Sequence, residues 1–308
     1  MDILVVGSIA LDSVKTPYGQ TQESLGGSAI YFSASAGCFA PVRVVGVVGN
    51  DFDMDALSFL SERGVDLAGI SVEAGRTFRW TGVYGDDMNT RETLETQLNV
   101  FADFRPDIPA QYRDSPCVFL ANIQPELQLD VLRQVNHPAL TVCDTMDLWI
   151  ETRREALLEL LAKVHVIILN DSEARQLTGE ANLVKASKQV LDLGPRVAVV
   201  KKGEHGAWML SQSNGPFTIP AFPTESVLDP TGAGDTFAGG FVGCLARAGQ
   251  FSDDALRQAM AYGTVMASFS VEEFGVGRLR GLQATEIQSR FHALKRMTDF
   301  RRDLLPSS

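Results

Sequence analysis

The chain has 308 residues, 27 Lys and Arg against 38 Asp and Glu, and a formal net charge of −11. That balance argues against a nucleic-acid partner, whose phosphates require a basic face, and it means that any anionic ligand must be met by local cations or dipoles. At 45% hydrophobic and 21% charged residues the composition is that of a globular domain, and no apolar run approaches the ~18 residues of a membrane span.

The first apolar run, ILVVGSIA at 3–10, predicts a strand buried on both faces, with Asp12 at its carboxyl end, where open α/β sheets place their ligands. Nothing in Met1 to Asp12 resembles a signal peptide. The next stretch, 14–24, is polar and turn-rich. Gly26 and Gly27 then open a small-residue helix within LGGSAIYFSASAGCFA, with Tyr31 in its first turns. VRVVGVVG at 42–49 predicts a second buried strand, and Asp51 to Arg63 a helix with Phe52, Leu57 and Leu60 inward, stopped by Gly64.

From Thr77 to Phe101 the period changes. Phe78, Trp80, Gly82 and Tyr84 share one parity, Leu94, Thr96, Leu98 and Val100 another, about the polar centre GDDMNTRE. That pattern predicts an antiparallel hairpin, which has no place in a parallel sheet. Strand–helix alternation then resumes: CVFLANI at 117–123, ALTVCDT at 139–145, a helix over 151–163, and VHVIILN at 164–170. Asn170 and Glu173 follow the last of these with the spacing of a helix cap. RVAVVKKGEHGAWML predicts a strand, a turn containing Gly203 and Gly206, and a return strand, with Lys201 just before the turn.

The most informative stretch is DPTGAGDTFAGGF at 229–241. Asp229 and Pro230 resist helix, and Thr231, Gly232, Ala233 and Gly234 leave backbone N–H groups open to close approach. Phe237, Phe241, Cys244 and Leu245 then recur at helical spacing, so a helix begins near Gly234. A small-residue turn feeding a helix N-terminus binds anions. Asp235 stands in the first helical turn, where it either caps the helix or accepts a proton beside the anion. Gly239, Gly240 and Gly243 mark either close packing or a backbone approached by a nucleotide. A helix over 255–270, a last helix through Phe291 and Leu294, and a tail frayed from Arg301 complete the chain.

In this order, the double glycine, the hairpin, Asn-x-x-Glu, Lys-x-Gly-x-x-Gly and DPTGAGDTFAGGF resemble the motifs of the ribokinase-like, or PfkB, carbohydrate kinases. The resemblance spans nearly the whole chain. It implies one ribokinase-like domain over 1–308: a doubly wound, mostly parallel sheet flanked by helices, with a small β lid from about 12–22 and 77–101. It implies ATP-dependent phosphoryl transfer to a hydroxyl of a sugar or sugar-like acceptor. Gly232, Ala233 and Gly234 would form the anion hole and Asp235 would be the general base. The resemblance assigns Asp12, Gly26 and Gly27 to the acceptor, and Asn170, Glu173, Lys201, Gly203, Gly206 and Thr231 to the nucleotide. It further implies Mg²⁺ carried by the ATP phosphates and reached by Glu173 through water, and a monovalent cation such as K⁺ near the late segment that lines the adenine pocket. Where the family often places an Asn that touches substrate hydroxyls this chain has Tyr31, which leaves the acceptor class open between sugar, nucleoside, phosphosugar and inositol. Tyr31 and the lid aromatics, Trp80 among them, are placed to cover the acceptor or stack on a base.

Two other classes fit less well. A dinucleotide-dependent dehydrogenase needs GxGxxG after the first strand, and a P-loop enzyme needs GxxxxGK[ST]; neither pattern occurs there. A non-catalytic sensor on the same fold would be expected to have lost the base, and Asp235 is present. The four cysteines, far apart, predict free thiols and a cytoplasmic location, and the scattered histidines predict no histidine metal site. A lid sheet with an open edge also makes a homodimer through the lid an expectation.

Overall fold

A computed structural model describes residues 1–213 and 215–299. The expected tail from Arg301 lies outside the described residues. Thirteen strands fall in two sheets among the described residues: β1 Ile3–Val6, β2 Ala10–Thr16, β3 Gly19–Gly26, β4 Val42–Gly49, β5 Val65–Glu73, β6 Phe78–Tyr84, β7 Arg91–Gln97, β8 Cys117–Leu120, β9 Leu140–Asp144, β10 Val166–Asn170, β11 Val197–Lys201, β12 Ala207–Ser211 and β13 Gly215–Ile219. The larger sheet has the order β13-β12-β11-β10-β9-β8-β1-β4-β5 and the smaller β3-β2-β6-β7. From β5 to β11 all neighbours in the larger sheet run parallel, and β12 and β13 add an antiparallel edge.

The central strands are continuous apolar runs because both of their faces are covered. Ile3 and Val5 enter one core, with the helices Ser28–Ala36, Ala233–Ala248 and Asp253–Ser270. Leu4 and Val6 enter the other, with Pro125–Gln134, Arg154–Leu161 and Leu183–Asp192. All four cysteines are free thiols.

The expected run 3–10 is not one strand. It ends at Val6, and Ala10 begins β2 in the small sheet. Ser8 and Ser28 fasten the crossing: each hydroxyl accepts from the other's backbone N–H, at 3.2 and 3.0 Å. Asp12 therefore lies within the lid sheet rather than at the end of β1. The small sheet otherwise combines β2 and β3 with the β6–β7 hairpin, as the change of period at Thr77 predicts. Leu94 is an exception. The register slips opposite Thr81 and Gly82, so Leu94 falls in a bulge and is 57% exposed.

The expected helix over Asp51–Arg63 is shorter: a 3₁₀ turn at Met54–Leu57 and one helical segment at Ser58–Glu62. Asp51 is withdrawn from it to hold the lid's base, its Oδ1 accepting from the Thr77 N–H at 2.8 Å and its Oδ2 pairing with Arg79 at 2.8 Å. β5 was not visible in the sequence. It is an edge strand whose residues are mostly exposed, so it lacks the apolar run that marks its neighbours.

Candidate active site

The turn before the helix Ala233–Ala248 is built on Asp229. Its buried carboxylate accepts from the N–H of Thr231 at 2.9 Å and from the N–H of Gly275 at 3.0 Å, which fixes the loop from both sides. Gly232 caps the helix with φ 73°, a left-handed conformation costly for any residue with a Cβ. A Cβ there would also overlap the ring of Tyr31. The ring of Tyr31 is thus buried against the Gly232 turn, 1% exposed, with no hydrogen-bond partner for its hydroxyl among the described residues. A side chain so placed has no face to offer a base, contrary to the stacking role expected for it.

Gly239, Gly240 and Gly243 resolve in favour of close packing. Added Cβ atoms would meet the backbone of Phe32, of Tyr262 and of Ala36, so these glycines let the helix lie against Ser28–Ala36 and Asp253–Ser270.

Asp235 occupies the third helical position. Burial, reinforced by the charge of Asp144, lifts its carboxyl to about 7 against the pull of Lys201. Lys201, at the end of β11, has its ammonium 2.8 Å from the point where a Cβ on Gly234 would sit, so it overhangs the helix N-terminus. The ammonium is paired with Asp144 at 3.4 Å and also feels Glu173 and Asp235, which hold it protonated despite burial. Asp144 ends β9 and is buried. The signal for it in the sequence is an Asp following an apolar run, the same pattern as at Asp12.

Asn170 and Glu173 form a complete capping box. The Glu173 N–H donates to Asn170 Oδ1 at 2.8 Å, and both carboxylate oxygens accept from Asn170, each at 2.7 Å. The pair is therefore a helix start, and its carboxyl nevertheless stands close enough to Lys201 for the ammonium to oppose the burial that lifts it to about 7. Gly203 and Gly206 flank a 3₁₀ turn between β11 and β12.

A cavity of about 940 Å³ opens beside this group. Lys201, Gly203, Gly206 and Gly234 line it on one side, Thr264 and Val271 on another. The segment 221–228 closes it, and so does the hairpin tip 86–89. The late helix was expected at such a wall; the 221–228 segment and the hairpin tip carried no motif.

On the other side of Asp235 lies the lid's inner face. Asp12 is 5% exposed, and its carboxylate packs on Gly26 and accepts from the N–H of Gly27. Burial, then Asp229, lifts it to about 7. Asp12 pairs with Trp80 across β2 and β6. Tyr84, two residue pairs further on the same face, accepts a hydrogen bond from the Thr231 hydroxyl at 3.2 Å. The structure thus gathers Asp12, Gly26, Gly27, Tyr31, Thr231, Gly232, Ala233, Gly234 and Asp235 at one place, with Asn170, Glu173 and Lys201 beside them. Asp229, Tyr84 and Arg91 lie with them, and Asp144, which carried no motif, joins the set.

Comparison with known proteins bears on the family and the fold. Cytidine kinase from Thermococcus kodakarensis is 29% identical over 251 residues, covering 80% of this chain and 89% of the relative. ATP-dependent ribose-1-phosphate kinase from Halopiger xanaduensis is 29% identical over 249 residues, covering 80% and 81%. The crystal structure of aminoimidazole riboside kinase from Salmonella enterica superposes with a TM-score of 0.75 at 18% identity, covering 94% of this chain and all of that one. The family of pfkB carbohydrate kinases matches residues 2–280. By that match and by its ribokinase-like fold, this chain belongs to the PfkB family of carbohydrate kinases.

Proposed function

We propose that the protein transfers the γ-phosphoryl group of MgATP to a hydroxyl of a sugar or sugar-like acceptor, with Asp235 as the general base. The observation that carries this is the placement of Asp235: in the first turn of a helix whose N-terminus faces the Lys201 ammonium, with its carboxyl lifted to about 7. A carboxyl tuned to that range accepts a proton near neutral pH without being locked in the ionised form. The N–H groups of Gly232 and Gly234 and the Lys201 ammonium supply positive potential where charge accumulates on the transferred group, while the Ala233 N–H already donates to the Pro230 carbonyl at 3.2 Å.

The cavity of about 940 Å³ has the size of a nucleotide site. Lys201, Gly203 and Gly206 would lie along the phosphates, and Thr264 and Val271 along the base. Glu173 and Asp144 offer carboxylate oxygens of the kind Mg²⁺ takes, so the donor set fits the ion, Glu173 holding it through water. When bound, Mg²⁺ neutralises charge between the β- and γ-phosphates. Asp12, in contact with Gly26 and Gly27, holds the acceptor hydroxyls.

The reading extends to three further features. A monovalent cation such as K⁺ belongs near the late segment, where the Asp229 carboxylate is buried against Gly275. The outer lid, with Leu94 57% and Leu98 43% exposed, is the surface for a homodimer. The free cysteines suit the reducing cytoplasm, and no helix among the described residues is long and apolar enough to cross a membrane.

The test is acceptor-dependent ADP release, measured for the protein and for Asp235→Asn across a panel of sugars, phosphosugars, nucleosides and inositols. Loss of the base is expected to lower kcat roughly 10²–10⁴-fold with nucleotide binding retained. Near-normal turnover in the variant would remove Asp235 from the role.

A further inference from the structure

Trp80 does not stand away from the lid sheet; it lies down on it. A Cβ on Gly82 would overlap the six-membered ring of the indole, so the absent side chain there is what lets the ring lie over the strand. The indole Nε1 donates to Thr93 Oγ1 at 3.3 Å on β7, which fixes the ring's edge. The Arg91 guanidinium lies over the ring in a cation–π contact, 5.4 Å from its centroid. Arg79, on the same strand, is taken up by ion pairs to Glu23 and Asp51, whereas Arg91 makes no ion pair among the described residues.

The position of this ring is set by the register of the lid. Asp12 is the direct neighbour of Trp80 on β2, about 4.8 Å away at strand spacing. Gly82 and Tyr84 continue the same face, and Tyr84 reaches the signature loop at Thr231. A ligand held by Asp12 near Asp235 thus has its next few ångströms beside a flat aromatic ring, pinned in place, and a guanidinium that lies over that ring and makes no ion pair among the described residues. Pinning before binding means that little side-chain freedom is lost when a second ring docks. Guanidinium N–H groups match carbonyl and ring-nitrogen acceptors at the edge of a heterocycle.

We propose that the acceptor is a nucleoside, its ribose on Asp12 and its base stacked on Trp80 with Arg91 at the base's edge. This rests on the kinase reading above and names the acceptor class it leaves open. A free sugar would use Asp12 and leave the indole with no planar partner; a phosphosugar would use Arg91 as a cation and not need the flat ring.

The test uses the full chain, Trp80→Ala and Trp80→Phe, with cytidine, adenosine, ribose and ribose 1-phosphate as acceptors. Nucleosides are expected to give the highest kcat/KM. Trp80→Ala is expected to raise the nucleoside KM roughly 5- to 150-fold, the range for loss of one base–aromatic stack. Trp80→Phe should recover most of that loss, and the KM values for ATP and for ribose should stay put. Nucleoside should also quench the tryptophan emission of the wild type and not that of Trp80→Phe, in which Trp149 and Trp208 remain. Ribose or ribose 1-phosphate outperforming the nucleosides would overturn the proposal, as would an equal rise in the ribose and nucleoside KM values in Trp80→Ala. Phosphorylation of sugars without nucleoside quenching would overturn it and leave the kinase reading intact. Nucleoside quenching without any phosphoryl transfer would uphold the stacking site and overturn the kinase reading.

Discussion

The hydroxyl of Thr231 donates to the hydroxyl of Tyr84 at 3.2 Å, joining the loop before the helix Ala233–Ala248 to a strand of the small sheet 147 residues earlier in the chain. Thr231 is held in turn by Asp229 through its backbone N–H. The small sheet therefore meets the loop 229–232 through a side-chain bond rather than by packing alone.

Tyr84→Phe removes that bond with little change in volume. A neutral hydrogen bond contributes about 0.5–1.5 kcal/mol net, so kcat for transfer is expected to fall roughly 2- to 10-fold if the bond holds the closed lid. The share of ATP hydrolysed rather than transferred should rise, because a loosened lid admits water. A lowered melting temperature with unchanged kcat and partition would reduce the bond to a structural one.

The charges around Asp235 predict opposite pH shifts for two variants. With its carboxyl at about 7, activity should fall up to tenfold per pH unit below that value. Asp144 raises Asp235 and Lys201 lowers it. Asp144→Asn should move the acid limb to lower pH and Lys201→Met should move it higher, whatever each does to the maximal rate. Shifts in the same direction would refute the arrangement. Stability follows the same sign. A carboxyl lifted on folding destabilises the folded state as pH rises from its unfolded value toward about 7, so Asp235→Asn should raise the melting temperature more at pH 8 than at pH 5.

Asp12→Ala separates acceptor binding from nucleotide binding. Charge-assisted hydrogen bonds contribute about 1.5–3 kcal/mol each, so the acceptor KM should rise at least roughly tenfold while that for ATP barely moves. Parallel rises for both substrates would return Asp12 to a purely structural place in β2.

Gly232→Ala meets two obstacles, the left-handed backbone and the Tyr31 ring. The backbone alone costs about 1–2 kcal/mol, so a clear loss of melting temperature and of kcat is expected. Adding Tyr31→Ala should restore part of the stability by making room. No restoration would place the whole cost in the backbone.

Much of this arrangement was legible in the sequence because it depends on local pattern. Buried strands are apolar runs, the hairpin changes the period from helical to alternating, and DPTGAGDTFAGGF states its turn and helix outright. What stayed hidden depends on partners distant in the chain. Asp144 and Lys201 meet only because β9 and β11 both flank β10, and Tyr84 meets Thr231 only because the lid folds back. The burial of Tyr31 is hidden in the sequence for the same reason: it is set by Gly232, two hundred residues away. The change of sheet between Val6 and Ala10 is hidden because ILVVGSIA is apolar throughout, and nothing local marks the crossing fastened by Ser8 and Ser28.

That crossing has a consequence for how tightly the acceptor is held. Asp12 rides on the small sheet, not on the large one, so under the proposed acceptor role a molecule gripped by it would be gripped fully only in those copies of the protein whose lid is shut. The dissociation constant seen in solution is then the intrinsic one divided by the shut fraction. Substitutions at the lid's base, at Asp51 or Arg79, would change that fraction and retune the apparent affinity for every acceptor alike, with no contact to any of them.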